Sequence, residues 1–189
     1  MWLTNCRTFP AGWSADSFRA RTAILSYLAV MTHELRIGDP APDFHALAVG
    51  GEYGGGTEVR LADFAGQRLV VYFYPKDDTP GCVRQACGLR DAWSEITATN
   101  SAVFGVSVDD AASHLAFIAK YHLPFPLLTD EHHRMVKAYG VWVEKEKDGK
   151  KSMGTERSTF VIGRDGRIEQ IFRRVPPDGH VTMLLPVLQ

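Results

Sequence analysis

Two cysteines, Cys82 and Cys87, stand five residues apart in Pro75-Lys76-Asp77-Asp78-Thr79-Pro80-Gly81-Cys82-Val83-Arg84-Gln85-Ala86-Cys87. The chemistry open to such a pair is that of a thiolate, the reactive form of cysteine. Leu69 to Tyr74 (LVVYFY) just before it is a continuous β-branched and aromatic run, the pattern of a strand buried on both faces. The loop leaving such a strand lies at the sheet edge where sites are commonly built. Thr79 and Pro80 then predict a helix start, with Thr79 as N-cap and Pro80 at the first helical position. Cys82 falls in the first turn. Unpaired N–H groups and the positive end of the helix dipole favour an anion there, and a thiolate is such an anion. Asp77 and Asp78 work against this, because nearby negative charge disfavours a thiolate. A cation supplied from elsewhere in the chain would offset them.

On a continuous helix, residues five apart have Cα atoms about 8.6 Å apart and side chains about 140° around the axis. A disulfide needs Cα atoms within roughly 6.8 Å. The two sulfurs can therefore react only if the helix locally unwinds. The residue types alone also allow two plainer readings. Both cysteines could be small buried hydrophobes. A metal site would recruit His132 and His133, but adjacent residues do not readily face one ion, and no second close-spaced Cys or His pair is present.

Around this stretch, alternating elements are expected. The helix from Pro80 is predicted to run past Arg90 and Trp93 towards Ile96. Ala102 to Ser107 is a second strand, and Asp109 or Asp110 caps a second helix with Leu115, Ile118 and His122 on its apolar stripe and Ala119 beside it. Leu127 and Leu128 form a short strand, and Gly140 stops a short helix over His132 to Tyr139. Ser158 to Ile162 and Arg167 to Phe172 flank the turn Gly163-Arg164-Asp165-Gly166. The glycines from Gly50 to Gly56 read as a loop or hairpin tip. Lys145 to Lys151 reads as a charged turn, and Trp142 as a core or pocket-wall aromatic. Order and alternation point to the α/β class, a sandwich of a mixed sheet between helices.

Composition sets the outer bounds. The 189 residues carry a net charge of −1, with 45% hydrophobic and 23% charged residues, so the chain can build a core and has no electrostatic footprint for nucleic acid or membrane lipid. Three cysteines are too few for a secreted disulfide scaffold, which suggests reactive thiols in a reducing, cytoplasmic setting. No segment approaches a membrane span. Residues 1–34 read as an extension ahead of the domain at 35–189. Met31 is a candidate start, Arg19 and Arg21 before Ala23–Met31 leave targeting open, and Cys6 receives no role.

Over residues 35 to 185 the chain resembles the peroxiredoxins of the bacterioferritin comigratory protein/peroxiredoxin Q group. The matching words are Gly38-Asp39-Pro40-Ala41-Pro42-Asp43-Phe44, Leu61-Ala62-Asp63-Phe64, Phe73-Tyr74-Pro75-Lys76, Thr79-Pro80-Gly81-Cys82 and Gln85-Ala86-Cys87-Gly88-Leu89-Arg90-Asp91. Lys120 to Leu128, Tyr139-Gly140-Val141-Trp142 and Arg157-Ser158-Thr159-Phe160 follow in order. The resemblance implies a thioredoxin-like three-layer sandwich and a thiol peroxidase that needs no cofactor or metal. Cys82 would be the peroxidatic cysteine and Cys87 the resolving one of an intrachain disulfide. Thr79 would hydrogen-bond the thiolate and the peroxide, Pro75 would shield the site from water, and Arg157 would be the missing cation. Hydrogen peroxide and organic hydroperoxides would be substrates, thioredoxin the reductant, and the chain a monomer. Val83 departs from the pattern, since many relatives carry Thr there. The same cysteine pair could instead serve a peroxide sensor or disulfide-exchange protein without efficient turnover. A binding module with inert buried thiols is a further alternative.

Overall fold

β3 (Arg68–Phe73) organises the molecule, because both of its faces are covered. Leu69, Val71 and Phe73 point into one apolar cluster with Phe104, Tyr139 and Phe160. Val70 and Tyr72, with Tyr74 beyond the strand end, point into a second that holds Cys82, Leu89, Ile96, Phe117 and Leu184. Alternation along a strand produces this division, and a fully buried side chain of this size contributes about 1.5–3 kcal/mol. The computed structural model describes residues 34–147 and 149–189. The expectations placed on residues 1–33, including Cys6 and Met31, lie outside them.

The central sheet has seven strands in the order β2-β1-β5-β4-β3-β8-β9. These are β1 (His45–Val49), β2 (Thr57–Arg60), β4 (Ser101–Ser107), β5 (Leu127–Thr129), β8 (Ser158–Ile162) and β9 (Ile168–Phe172), with β3 between β4 and β8. β3, β4 and β5 run parallel, and β1 and β8 join this block antiparallel. The helices are α1 (Pro80–Asp91), α2 (Trp93–Ala98), α3 (Ala111–Tyr121), α4 (Arg134–Ala138) and α5 (His180–Leu188). The chain is a mixed α/β sandwich of the thioredoxin-like kind. Among the described residues no helix is long and apolar enough to cross a membrane.

Several expectations need correction. The helix from Pro80 does not continue to Ile96. It breaks at Ala92, whose backbone leaves the helical region (φ −94°, ψ 10°), and α2 then packs Ile96 into the core and Trp93 against Phe125. On α3 the buried face is His114 and Phe117, while Leu115 is 37% exposed and His122 is the left-handed C-cap. The polar His114 concealed that face, because it is buried to serve a carboxylate. Glycines 50–56 do form the tip of a hairpin, β1 pairing with β2. The charged stretch at 145–151 lies within a hairpin of its own, β6 (Trp142–Lys147) with β7 (Lys150–Thr155). α5 has no counterpart among the sequence expectations.

Candidate active site

The loop from β3 to α1 is held by its acids. The Asp77 carboxylate is buried and accepts hydrogen bonds from Tyr74 Oη (2.7 Å), Ser113 Oγ (2.8 Å) and His114 Nδ1 (2.8 Å), while its backbone N–H donates to Asp109 (2.9 Å). Burial alone would raise the Asp77 pKa. The hydrogen bond and electrostatic attraction of His114, with the hydrogen bonds from Tyr74 and Ser113, outweigh it, so the carboxyl titrates below its ordinary value. Asp78 takes a left-handed backbone (φ 53°) and accepts from Lys120 Nζ (2.6 Å) and Tyr121 Oη (2.5 Å). Those two hydrogen bonds, Lys120 first, lower its pKa as well. Both carboxylates are thus bonded to α3. Lys120 offsets the charge of Asp78, whereas the side-chain partners of Asp77 are two hydroxyls and His114.

Thr79 occupies the N-cap position (φ −86°, ψ 148°), but its side chain does not cap the helix. Its hydroxyl donates to the Lys76 carbonyl at 3.0 Å, which tightens the loop. Pro75, half-buried, follows the buried Tyr74 at the loop's start. Cys82 is the third residue of α1 and is 2% exposed. Gly81 and Cys82 lie among the first helical positions, whose N–H groups have no intrahelical acceptor. Cys87 is half-buried further along the same helix, and both thiols are free. This is the arrangement in which five-residue spacing keeps the sulfurs apart.

Arg157 is the cation. It sits where β7 ends at Thr155 and β8 begins at Ser158, and the base of the β6–β7 hairpin is tied there by a hydrogen bond from Glu156 N to Val141 O (2.7 Å). Its Nη2 lies 3.4 Å from Cys82 Sγ, and its Nη1 donates to Gln85 Oε1. A Cβ at position 81 would stand 3.3 Å from Nη2, so glycine there leaves the guanidinium room that a larger residue would take by a few tenths of an ångström. A guanidinium presents several donors in a fixed plane, so one side chain reaches both the sulfur and the neighbouring amide.

The structure therefore gathers Cys82 and Arg157 at one point, with Pro75 and Thr79 in the loop that delivers α1. It adds residues that sequence reasoning missed. Gln85 is buried on α1 three residues after Cys82, and the sequence shows that helical spacing but not the burial. His180 on α5 is hydrogen-bonded to Gln85, and nothing local in the sequence marks it. Lys145 is half-buried. Its pKa is lowered first by burial and then by Arg157, against the opposing effects of Glu156 and Cys82. Its Nζ donates to Thr155 O at 2.5 Å. Beside Arg157 opens a cleft of about 420 Å³, lined by Val143, Glu144, Lys145, Glu156, Arg174 and Val175. Trp142 is half-buried, edge-on to His133 with ring centroids 4.3 Å apart. His132 and His133 belong to no metal-binding group, and no cluster of three or more such ligands occurs among the described residues.

Residues 37–171 match the AhpC/TSA family. The chain is 41% identical over 155 residues to peroxiredoxin Bcp of Bacillus subtilis, covering 82% of this chain and 96% of that protein. It is 42% identical over 151 residues to peroxiredoxin Bcp of Escherichia coli K12, covering 80% and 94%. Among solved structures it is similar to a cysteine-to-serine mutant of Xylella fastidiosa PrxQ (TM-score 0.75, 34% identity, 82% and 96% covered). It is also similar to the Xanthomonas campestris bacterioferritin comigratory protein, described in trapped intermediate and ligand complexes of alkyl peroxide reduction (TM-score 0.70, 35% identity, 77% and 89% covered).

Proposed function

This chain belongs to the AhpC/TSA family, as a peroxiredoxin of the Bcp/PrxQ kind and hence a thiol peroxidase, and from that premise we propose that Cys82 is its peroxidatic cysteine, Cys87 its resolving cysteine and Arg157 the cation of the reaction. The observation that carries this assignment is the 3.4 Å approach of Arg157 Nη2 to Cys82 Sγ at the amino end of α1.

The Cys82 thiolate attacks one peroxide oxygen, and the O–O bond breaks with its electron pair leaving on the distal oxygen. Arg157 and the free N–H groups of the first turn stabilise that developing charge, and a proton completes the alcohol or water released. Cys82 is left as a sulfenic acid. The Cys87 thiol condenses with it, forming the S–S bond and expelling water, once α1 unwinds between them. A dithiol reductant then exchanges with the disulfide, becoming oxidised as both thiols of the chain return. Thioredoxin is the reductant we infer. Substrates include hydrogen peroxide and organic hydroperoxides, in keeping with the alkyl peroxide reduction described for the Xanthomonas protein. Pro75 shields the sulfur from water. Thr79 would reach the thiolate and peroxide only by exchanging its bond to Lys76, a rotation that a hydroxyl permits. The catalytic unit is the domain at 35–189, acting as a monomer in the cytoplasm.

The test is stopped-flow peroxide reduction coupled to thioredoxin. Cys82→Ser is expected to abolish turnover. Cys87→Ser should complete one oxidation, then stall and accumulate sulfinic acid. A steady-state rate unchanged in Cys82→Ser would refute the assignment.

A further inference from the structure

A chain of hydrogen bonds, part-buried at Arg157 and fully buried beyond it, leads from the Cys82 sulfur to α5. Arg157 contacts the sulfur and donates to Gln85 Oε1. Gln85 Nε2 lies 3.0 Å from His180 Nδ1, and His180 Nε2 lies 2.9 Å from Thr159 Oγ1. Gln85 and His180 are each 1% exposed and Thr159 is fully buried, so water cannot replace a lost partner here.

The roles along this chain follow from one fact: a guanidinium only donates. The Gln85 atom facing Arg157 must be the amide oxygen. Its NH2 then faces His180, so His180 Nδ1 must accept. The single ring proton sits on Nε2 and points to Thr159 Oγ1. Only a neutral imidazole in this tautomer satisfies every group. Burial and the nearby Arg157 agree with that state, holding the His180 pKa down at about 3. A protonated ring would set N–H against N–H and turn the Gln85 amide, placing its NH2 on Arg157.

We propose that His180 is a positioning residue of the peroxidatic centre: by accepting from Gln85 it fixes the amide with its oxygen towards Arg157 and so keeps the guanidinium on the Cys82 sulfur. The proposal rests on the assignment of Cys82 and Arg157 given above, and it goes beyond that assignment by giving α5 a part in the chemistry. It also bears on resolution. Gln85 lies between the two cysteines, so the unwinding that brings Cys87 to Cys82 must break the Gln85 bonds to Arg157 and His180. His180 therefore favours the intact, peroxide-reactive α1 over the unwound form in which the disulfide closes.

Two substitutions separate the acceptor from the packing. His180→Phe keeps a ring against Tyr72, whose centroid is 5.5 Å away, and removes the acceptor. His180→Asn places an amide oxygen near the position of Nδ1. Stopped-flow oxidation of the full chain by hydrogen peroxide is expected to slow about tenfold in His180→Phe, the weight of one buried hydrogen bond, and to stay within about threefold of wild type in His180→Asn. Disulfide closure after oxidation should be faster in His180→Phe. Gln85→Met cuts the same chain from α1 and must reproduce the slower oxidation, which keeps the test valid if His180→Phe does not fold. Wild-type oxidation in His180→Phe or Gln85→Met, or an equal loss in His180→Asn and His180→Phe, overturns the proposal. Cys82→Ser is run alongside. If it is oxidised at the wild-type rate, the peroxidatic assignment itself fails; if it is silent while His180→Phe matches wild type, only the role of His180 fails.

Discussion

Arg157 does two tasks at once, and they explain why a lysine could not replace it. One amino group of the fork meets the Cys82 sulfur and the other donates to Gln85. A lysine ammonium is a compact charge on a flexible stem and cannot hold both partners in one plane. Removing a single fixed donor from a site that stabilises developing negative charge typically slows the reaction by about 10²–10³-fold. Arg157→Lys is therefore expected to lower the second-order rate of peroxide reduction by about 10²-fold, with the charge nominally conserved. Peroxide-oxidation kinetics of the variant check this, and a loss smaller than about threefold would mean that charge alone, without geometry, carries the effect.

At the scale of elements, α1 is both the platform for Cys82 and the barrier between it and Cys87. Both cysteines are free on one continuous helix. A disulfide between them thus demands that backbone hydrogen bonds across this segment be lost. Hydrogen exchange compared between reduced protein and a disulfide form verified by mass should show faster amides at 82–88, with the strands of the central sheet unchanged. Equal protection in the two forms would contradict the helix geometry. The start of this helix was legible, because Thr79-Pro80 after a run of buried residues marks it locally. Its break at Ala92 was not, since no proline announces it and tertiary packing of Trp93 and Ile96 decides it. The same distinction holds for the site. Cys82 stood out by its place in the first turn of a helix, but residue types alone left both cysteines open to a plainer reading as buried hydrophobes; their roles, like that of Arg157, entered through resemblance to a family, because a lone arginine 75 residues away has no local pattern linking it to a thiol. The partners of Asp77 and the chain through Gln85 to His180 were illegible for a related reason. Buried polar residues break the apolar periodicity by which elements are read, so His114 was not counted in the buried face of its helix, and α5 with His180 at its start was not assigned at all.

Across the whole molecule, the buried polar groups predict how stability responds to acid. His180 is held neutral with a pKa of about 3, whereas the unfolded chain protonates an ordinary histidine near 6.5. The unfolded state therefore binds more protons between these values, and stability rises with pH there. The contribution from neutral His180 is complete above about pH 6.5 and is lost progressively as pH falls towards 3, approaching 1.4 kcal/mol per pH unit, or about 2 kcal/mol between pH 7 and 5. Asp77 acts in the same direction at lower pH. Its folded pKa lies below the ordinary 3.8, so its contribution is present above that value and disappears as pH falls through the folded pKa. The two windows adjoin, with His180 dominating the mildly acidic range and Asp77 adding to the loss below about pH 4. Urea unfolding of wild type and His180→Asn at pH 7, 6 and 5 tests the first window. Asn keeps the acceptor for Gln85 and cannot take up the proton, so its unfolding free energy should lose about 2 kcal/mol less than that of wild type over this range. Parallel pH curves for the two proteins would show that His180 is not the buried neutral group that links α5 to the sulfur.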